Sequence, residues 1–166
     1  MHVSGLPEPG RSAPDVRTGR QALAVTVLIT CAAATWFMAG LHWFVQVVHY
    51  PLFADVGTER FIAYHARHSE RTTLVVLPAM AAELATSGWL VVDQPQGTSA
   101  TLVLAGLALA IFTWAATFLL VVPRHRDLGA GLDPVAVRRL ARASWVRTAA
   151  WTVHGVVVAV LLSQAA

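Results

Sequence analysis

The feature that most constrains this chain is a set of four long apolar blocks separated by polar segments. The blocks cover residues 21–48, 72–92, 100–122 and 144–163. A helix of about 20 predominantly apolar residues crosses a hydrocarbon core of roughly 30 Å. Apolar residues make up 56% of the 166-residue chain and charged residues only 13%, whereas a soluble domain has about 25% charged residues. The sequence therefore predicts an all-α polytopic membrane protein, a four-helix transmembrane bundle over residues 21–166.

The segments outside the blocks predict where each helix begins and ends. Residues 1–20 contain three prolines and three glycines, which is typical of a flexible tail. Pro51 should end the first helix, because the residue before a proline avoids helical backbone angles. Residues 93–99 form a short polar turn, so the second and third spans should be antiparallel neighbours.

Two further segments predict short amphipathic helices on the membrane surface. Residues 55–71 mix both charge signs with apolar positions and predict a helix that enters the second span, starting near Gly57. Asp133 and Pro134 resemble an N-cap followed by proline at the first helical position. We therefore expect another surface helix over residues 134–142.

The distribution of arginine predicts the orientation in a cell membrane. All twelve basic residues are Arg; eight lie in the two longer loops and three in the N-terminal tail. Cytoplasmic loops carry the excess of positive charge, so both termini of this multi-pass protein should lie outside. We find no basic surface interleaved with aromatic residues, the pattern that single-stranded nucleic acid binding needs. The bilayer is thus the expected partner, and nucleic acid is not.

Each predicted span carries a polar side chain at a similar depth. Counted from the ends that bear the longer loops at about 1.5 Å per residue, the depths are roughly 12 Å for His42, 16 Å for Glu83, 13 Å for Thr113 and 15 Å for His154. Polar groups in a membrane interior need partners. We therefore expect His42, Glu83 and His154 to meet inside the bundle, with Thr113 or Trp114 closing the fourth side.

This layer fits three chemistries, and it also fits a purely structural role. Two histidines and a carboxylate are a ligand set used by non-haem iron and by zinc. His42 and His154 are candidates for the axial pair of a b-type haem. Without a cofactor, Glu83 and the histidines could bind and deprotonate a hydrophobic phenolic or quinone-like molecule. Alternatively, a neutral Glu83 hydrogen-bonds between helices and only stabilises the bundle.

A second group of histidines lies at the end of the bundle that carries the longer loops. It is an alternative metal site, and its members are His49, His65, His68 and His125. Other side chains at helical spacing predict the walls of a ligand site. Gln46 shares a helix face with His42, and Arg147 and Trp151 share one with His154. With Thr113 and Trp114 they are the predicted cofactor- or ligand-binding residues.

The start of the fourth span carries a family resemblance. Residues 144–151 read Ser-Trp-Val-Arg-Thr-Ala-Ala-Trp, with the best match from Trp145 to Trp151, and the first span ends in histidines and a proline. Together with the four spans, this resembles the anthrone-oxygenase-like family of integral membrane proteins. The resemblance implies a four-span architecture and a link to the oxidation of polycyclic phenols, with no agreed cofactor. It assigns no role to His42, His49 or Glu83.

Two classes of function follow from these observations. The first is a membrane-embedded oxidoreductase, or a cofactor- or ligand-binding protein, whose catalytic residues are His42, Glu83 and His154. The second is a non-enzymatic small membrane protein, either a transporter or an assembly subunit, in which the polar layer is structural or relays protons. The sequence lacks the paired broken helices typical of many secondary transporters.

Overall fold

A computed structural model describes residues 16–166, and every regular element in that range is a helix. The four long helices are α1 (Val16–Asp55), α2 (Thr58–Val92), α3 (Ala100–Leu128) and α4 (Pro134–Ala165), each long and apolar enough to cross a membrane. This confirms the predicted all-α fold with four membrane-length helices. Residues 1–15 of the predicted tail lie outside the described range, and α1 already begins at Val16.

The four helices pack as a closed ring. Helix α1 packs against α2 and α4, and α3 packs against the same two helices. Three groups of buried side chains fill the space between them. Tyr50 and Phe53 belong to the group at the longer-loop end, Met38 and Met80 to the central group, and Leu28 to the group at the opposite end.

The expectation that Pro51 ends the first helix is wrong. After Phe44 the helix widens into a π turn, Val45–His49, and continues through Tyr50–Leu52 and the 3₁₀ turn Phe53–Asp55. Pro51 lies in the first turn of the Tyr50–Leu52 segment, where a missing backbone N–H costs little. A second π turn, Thr117–Val121, interrupts α3. Such turns are often found at functional sites.

The helix predicted to enter the second span is confirmed, because residues 58–71 are the first turns of α2. The expectation of a separate surface helix over residues 134–142 is wrong, because this segment is the first part of α4. No glycine or proline separates either segment from the span that follows it, so the backbone hydrogen bonds continue. The predicted N-terminal ends of both helices are confirmed. Gly57 directly precedes α2, with φ of +78°. The Asp133 carboxylate caps α4 by accepting a hydrogen bond from the Val135 amide at 2.8 Å.

Candidate functional site

Glu83 and His154 form a buried pair in the middle of the bundle. Both side chains are 0% exposed, and Oε1 of Glu83 lies 2.8 Å from Nδ1 of His154. The indole of Trp151 donates a hydrogen bond to the other carboxylate oxygen at 2.9 Å. Glu83 lies on α2 and both partners lie on α4, so the carboxylate connects these two helices. The structure thus places Glu83 and His154 in the interior and brings them together.

His42 reaches the same layer but does not touch the carboxylate. It is 3% exposed, its Nδ1 lies 2.9 Å from the Met38 carbonyl oxygen, and its ring centroid lies 4.0 Å from that of Trp151. Trp151 therefore contacts both residues and links His42 to Glu83. Within residues 16–166, no three His, Cys, Asp or Glu side chains are arranged around one point as metal ligands. The structure does not assemble the predicted His42, Glu83 and His154 metal site.

The predicted haem pair also lacks room. The Nδ1 atom of His154 is occupied by Glu83. Its Nε2 atom faces the α3 backbone, where a Cβ added to Gly106 would lie 3.3 Å away. Neither nitrogen of His154 is therefore accessible to a haem iron, and these residues do not fit that cofactor.

Three other predicted site residues donate hydrogen bonds to backbone carbonyl groups. The side-chain amide of Gln46 donates to the Ala141 carbonyl at 2.9 Å, and the Thr113 hydroxyl donates to the Ala110 carbonyl at 2.8 Å. The indole of Trp114 donates to the Met80 carbonyl at 3.3 Å. These bonds stabilise helix packing, and none of the three side chains lines the cavity of the protein.

Sequence reasoning missed polar residues next to the buried pair. The thiol of Cys31 lies 3.4 Å from the Ser87 hydroxyl and beside the ring of His154. Nε2 of His154 is buried and has no hydrogen-bond partner among the residues described. A signal was available, because Cys31, Thr35 and His42 recur at intervals of four and seven and so share a helix face.

A cavity of about 500 Å³ opens between the helices at the longer-loop end. This volume lies within the range of sites for small organic molecules, roughly 300–1,000 Å³. Its walls are mostly apolar and include residues from both π turns. The polar side chains in its wall include His42, Tyr50, His65, His68, Thr117, His125 and Arg147.

Arg147 is a buried cation in the wall of this cavity. Its side chain is 6% exposed and donates to the Ser144 hydroxyl at 3.2 Å and to the Thr117 hydroxyl at 3.4 Å. It also lies beside Tyr50, while its Nε has no partner. Over the described part of the chain, no carboxylate pairs with it. A buried charge without a counter-ion is costly, so this guanidinium can bind an anionic group.

Tyr50 and Thr117 were not predicted as site residues. Both lie next to elements that were singled out, since Tyr50 follows His49 and Thr117 lies one turn after Thr113. Their position against Arg147 depends on the two π turns, because Tyr50 directly follows one and Thr117 begins the other. The apolar periodicity of the spans gives no sign of these turns.

The second group of histidines is brought together at the mouth of the cavity. Nε2 of His49 lies 2.9 Å from Nδ1 of His68, and Nε2 of His65 lies 3.1 Å from Nδ1 of His125. In each of these contacts one imidazole nitrogen donates and the other accepts, so at least one ring of each pair is neutral.

Comparison with known proteins adds nothing to this picture. No protein-family model, curated protein or solved structure matches the chain.

Proposed function

We propose that this protein spans a membrane and binds a hydrophobic phenol, or a related quinone-like ring, in the cavity beside Arg147. The observation that carries the proposal is a buried guanidinium without an acidic partner in the wall of a mostly apolar cavity. The apolar walls would hold the ring system, and the guanidinium would hold the phenol oxygen as it becomes negative. Charge-assisted hydrogen bonds of this kind are worth roughly 1.5–3 kcal/mol.

The outer surface of the bundle supports a membrane location. Each long helix exposes large apolar side chains, among them Ile29, Phe37, Val47, Leu74, Val92, Leu104, Leu119, Val153 and Val156. Contiguous apolar surface on this scale is rare on soluble monomers. The polar groups of the layer face inward, as the cost of exposing them to lipid requires.

His42 is the residue we assign to accept a hydrogen bond from the phenol. It lines the cavity, and its Nδ1–H donates to the Met38 carbonyl, because a carbonyl oxygen can only accept. The free lone pair is therefore on Nε2. In the proposed binding mode, the phenol O–H donates to His42 Nε2 and the phenol oxygen accepts from Arg147. A phenol whose oxygen is held as it becomes negative is more electron-rich, which agrees with the oxidation chemistry implied by the family resemblance.

The Glu83 pair is assigned a different role. Its carboxylate is fully used by Trp151 and His154, and Glu83 does not line the cavity. We propose that it joins α2 to α4 and fixes the Trp151 ring against which His42 packs. Glu83 and His154 thus have a structural role in this proposal, and His42 and Arg147 bind the ligand.

The proposal is tested by binding of 2-naphthol to the purified protein in lipid nanodiscs, measured by calorimetry. Arg147→Met keeps an unbranched apolar stem but removes the guanidinium, and it should weaken binding about 10-fold or more, as the loss of a charge-assisted hydrogen bond requires. Arg139→Met removes a charge from the exposed face of the same helix and should leave affinity unchanged. Equal affinity in all three proteins would overturn the proposal.

A further inference from the structure

The four mouth histidines form a second candidate site, which the phenol proposal does not use. His49 lies on α1, His65 and His68 on α2, and His125 on α3. Three separate helices therefore deliver imidazoles to one place. The rings of His65, His68 and His125 also line the cavity, so a group bound by them would face its contents.

The spacing of the rings matches imidazoles arranged around a single ion. The nitrogen of a histidine ligand lies about 2.0–2.1 Å from Zn²⁺ and the ring centroid about 1.1 Å further out, so the centroids of two tetrahedral ligands lie about 5.2 Å apart. The observed centroid separations are 5.4 Å for His65 and His125, 5.8 Å for His68 and His125, and 6.3 Å for His65 and His68. All three exceed the tetrahedral value by about 1 Å or less. The centroid of His49 lies 4.5 Å from that of His68, so these two rings would separate by less than about 1 Å to reach the tetrahedral value.

The nitrogen atoms of the cluster form two close pairs. Two nitrogens bound to one tetrahedral ion lie roughly 3.3 Å apart, and the facing pairs are 2.9 Å for His49 and His68 and 3.1 Å for His65 and His125. In the part of the chain described, the nitrogens face one another in two pairs and do not converge on one point. Binding an ion would replace each nitrogen–nitrogen contact by metal–nitrogen bonds after rotation of the rings.

One ring of the cluster has the outer partner that metal-bound histidines normally have. Nε2 of His125, the nitrogen turned away from His65, lies 3.4 Å from the Tyr50 hydroxyl. The Thr72 hydroxyl lies 3.2 Å from Nδ1 of His68, the nitrogen that faces His49, so a metal ion bound there would replace this contact. Metal-binding histidines usually make such an outer hydrogen bond, which fixes the ring orientation. An all-imidazole set favours Zn²⁺, Cu²⁺, Ni²⁺ or Fe²⁺ over Mg²⁺ and Ca²⁺.

We propose that His65, His68 and His125, with His49 as the fourth ligand, bind one divalent transition-metal ion of the Zn²⁺ class at the mouth of the cavity. The site does not depend on the phenol proposal, because it is built from different side chains.

The test uses the full-length protein in detergent, purified without a polyhistidine tag and stripped with a chelator. Titration with Co²⁺ should give visible absorption bands that saturate at one equivalent and disappear when Zn²⁺ is added. His68→Gln and His125→Gln should each weaken Co²⁺ binding at least 10-fold, as losses at such sites usually do. His42→Gln changes a buried histidine of the same cavity outside the cluster, and it should leave Co²⁺ binding unchanged.

The outcomes separate this proposal from the phenol proposal, because no phenol is present. Absence of Co²⁺ bands in the unsubstituted protein, or equal loss of binding in His42→Gln, would overturn the metal site and leave the Arg147 proposal untouched. If the glutamine variants fail to fold, X-ray absorption of the zinc-loaded unsubstituted protein decides. Three or four imidazole nitrogens at about 2.0–2.1 Å support the site, and a shell of oxygen or sulfur contradicts it.

Discussion

Glu83 and His154 form a carboxylate–imidazole pair that is fully buried, with Oε1 and Nδ1 2.8 Å apart. The pair joins α2 to α4, and the indole of Trp151 occupies the second carboxylate oxygen. When Glu83 is a carboxylate it only accepts hydrogen bonds, so Trp151 and Nδ1 of His154 both donate to it.

This arrangement predicts that Glu83→Gln destabilises the protein. The amide group can accept from Trp151 with its oxygen, but its NH₂ group then faces a nitrogen that already carries a hydrogen. If His154 moves its hydrogen to Nε2, a buried donor without a partner results, since Nε2 has none. We expect a loss of about 1–3 kcal/mol in the free energy of unfolding, the cost of an unsatisfied buried group.

Thermal unfolding in detergent would measure this loss. Glu59→Gln, at an exposed position in the first turn of α2, serves as the control and should change stability by about 0.5 kcal/mol or less. A Glu83→Gln variant as stable as the control would show that the pair does not hold the bundle together.

Gly106 predicts a second effect on stability at the same pair. A Cβ at this position would lie 3.3 Å from Nε2 of His154, and the hydrogen bond to Glu83 prevents the ring from moving away. Gly106→Ala should therefore destabilise the protein by about 1–3 kcal/mol, as overpacking does. At Gly40 an added Cβ meets nothing within 4 Å, so Gly40→Ala should be neutral or stabilising by up to about 1 kcal/mol. Unfolding midpoints that fall equally in both variants would refute this account of the packing.

The depth of polar residues along the helices correctly predicted that Glu83 and His154 meet. It did not predict that His42 contacts Trp151 and not the Glu83 carboxylate. Counting residues gives the height of a side chain in the bundle, because the rise per residue is nearly constant. It does not give the direction in which the side chain points around the helix axis. It also does not give the size of the side chains that lie between two polar groups at the same depth. Trp151 occupies the space between His42 and Glu83, and its side chain decides which neighbours each can reach.

The cavity could not be predicted from the apolar pattern. The spacing of Arg147, Trp151 and His154 indicated a shared face, and all three are buried. The space beside Arg147, however, is lined by residues of the π turns at Val45–His49 and Thr117–Val121. Such turns arise from local backbone packing and leave no regular signal in the sequence. The rule that proline ends a helix failed at Pro51 for the same reason.

The arginine distribution predicts the orientation in the membrane. Single cysteines at Arg67 and Arg139, both exposed at the longer-loop end, should resist an impermeant maleimide in intact cells and react after lysis. A cysteine at Gln96, in the opposite turn, should react in intact cells. The natural Cys31 is buried and should contribute little background. Labelling at Arg67 and Arg139 with protection at Gln96 would reverse the topology.

The ionisation of a bound phenol tests the central claim most directly. A hydrophobic nitrophenol absorbs at different wavelengths as phenol and as phenolate, so its titration in the cavity can be followed by absorbance. If Arg147 stabilises the phenolate by roughly 1.5–3 kcal/mol, the pKa of the bound probe should be about one to two units lower than in protein-free nanodiscs. Arg147→Met should remove this difference, and Arg139→Met should keep it. The same probe pKa in the protein and in protein-free nanodiscs, or a lowered pKa that survives Arg147→Met, would contradict the proposed role of the cavity.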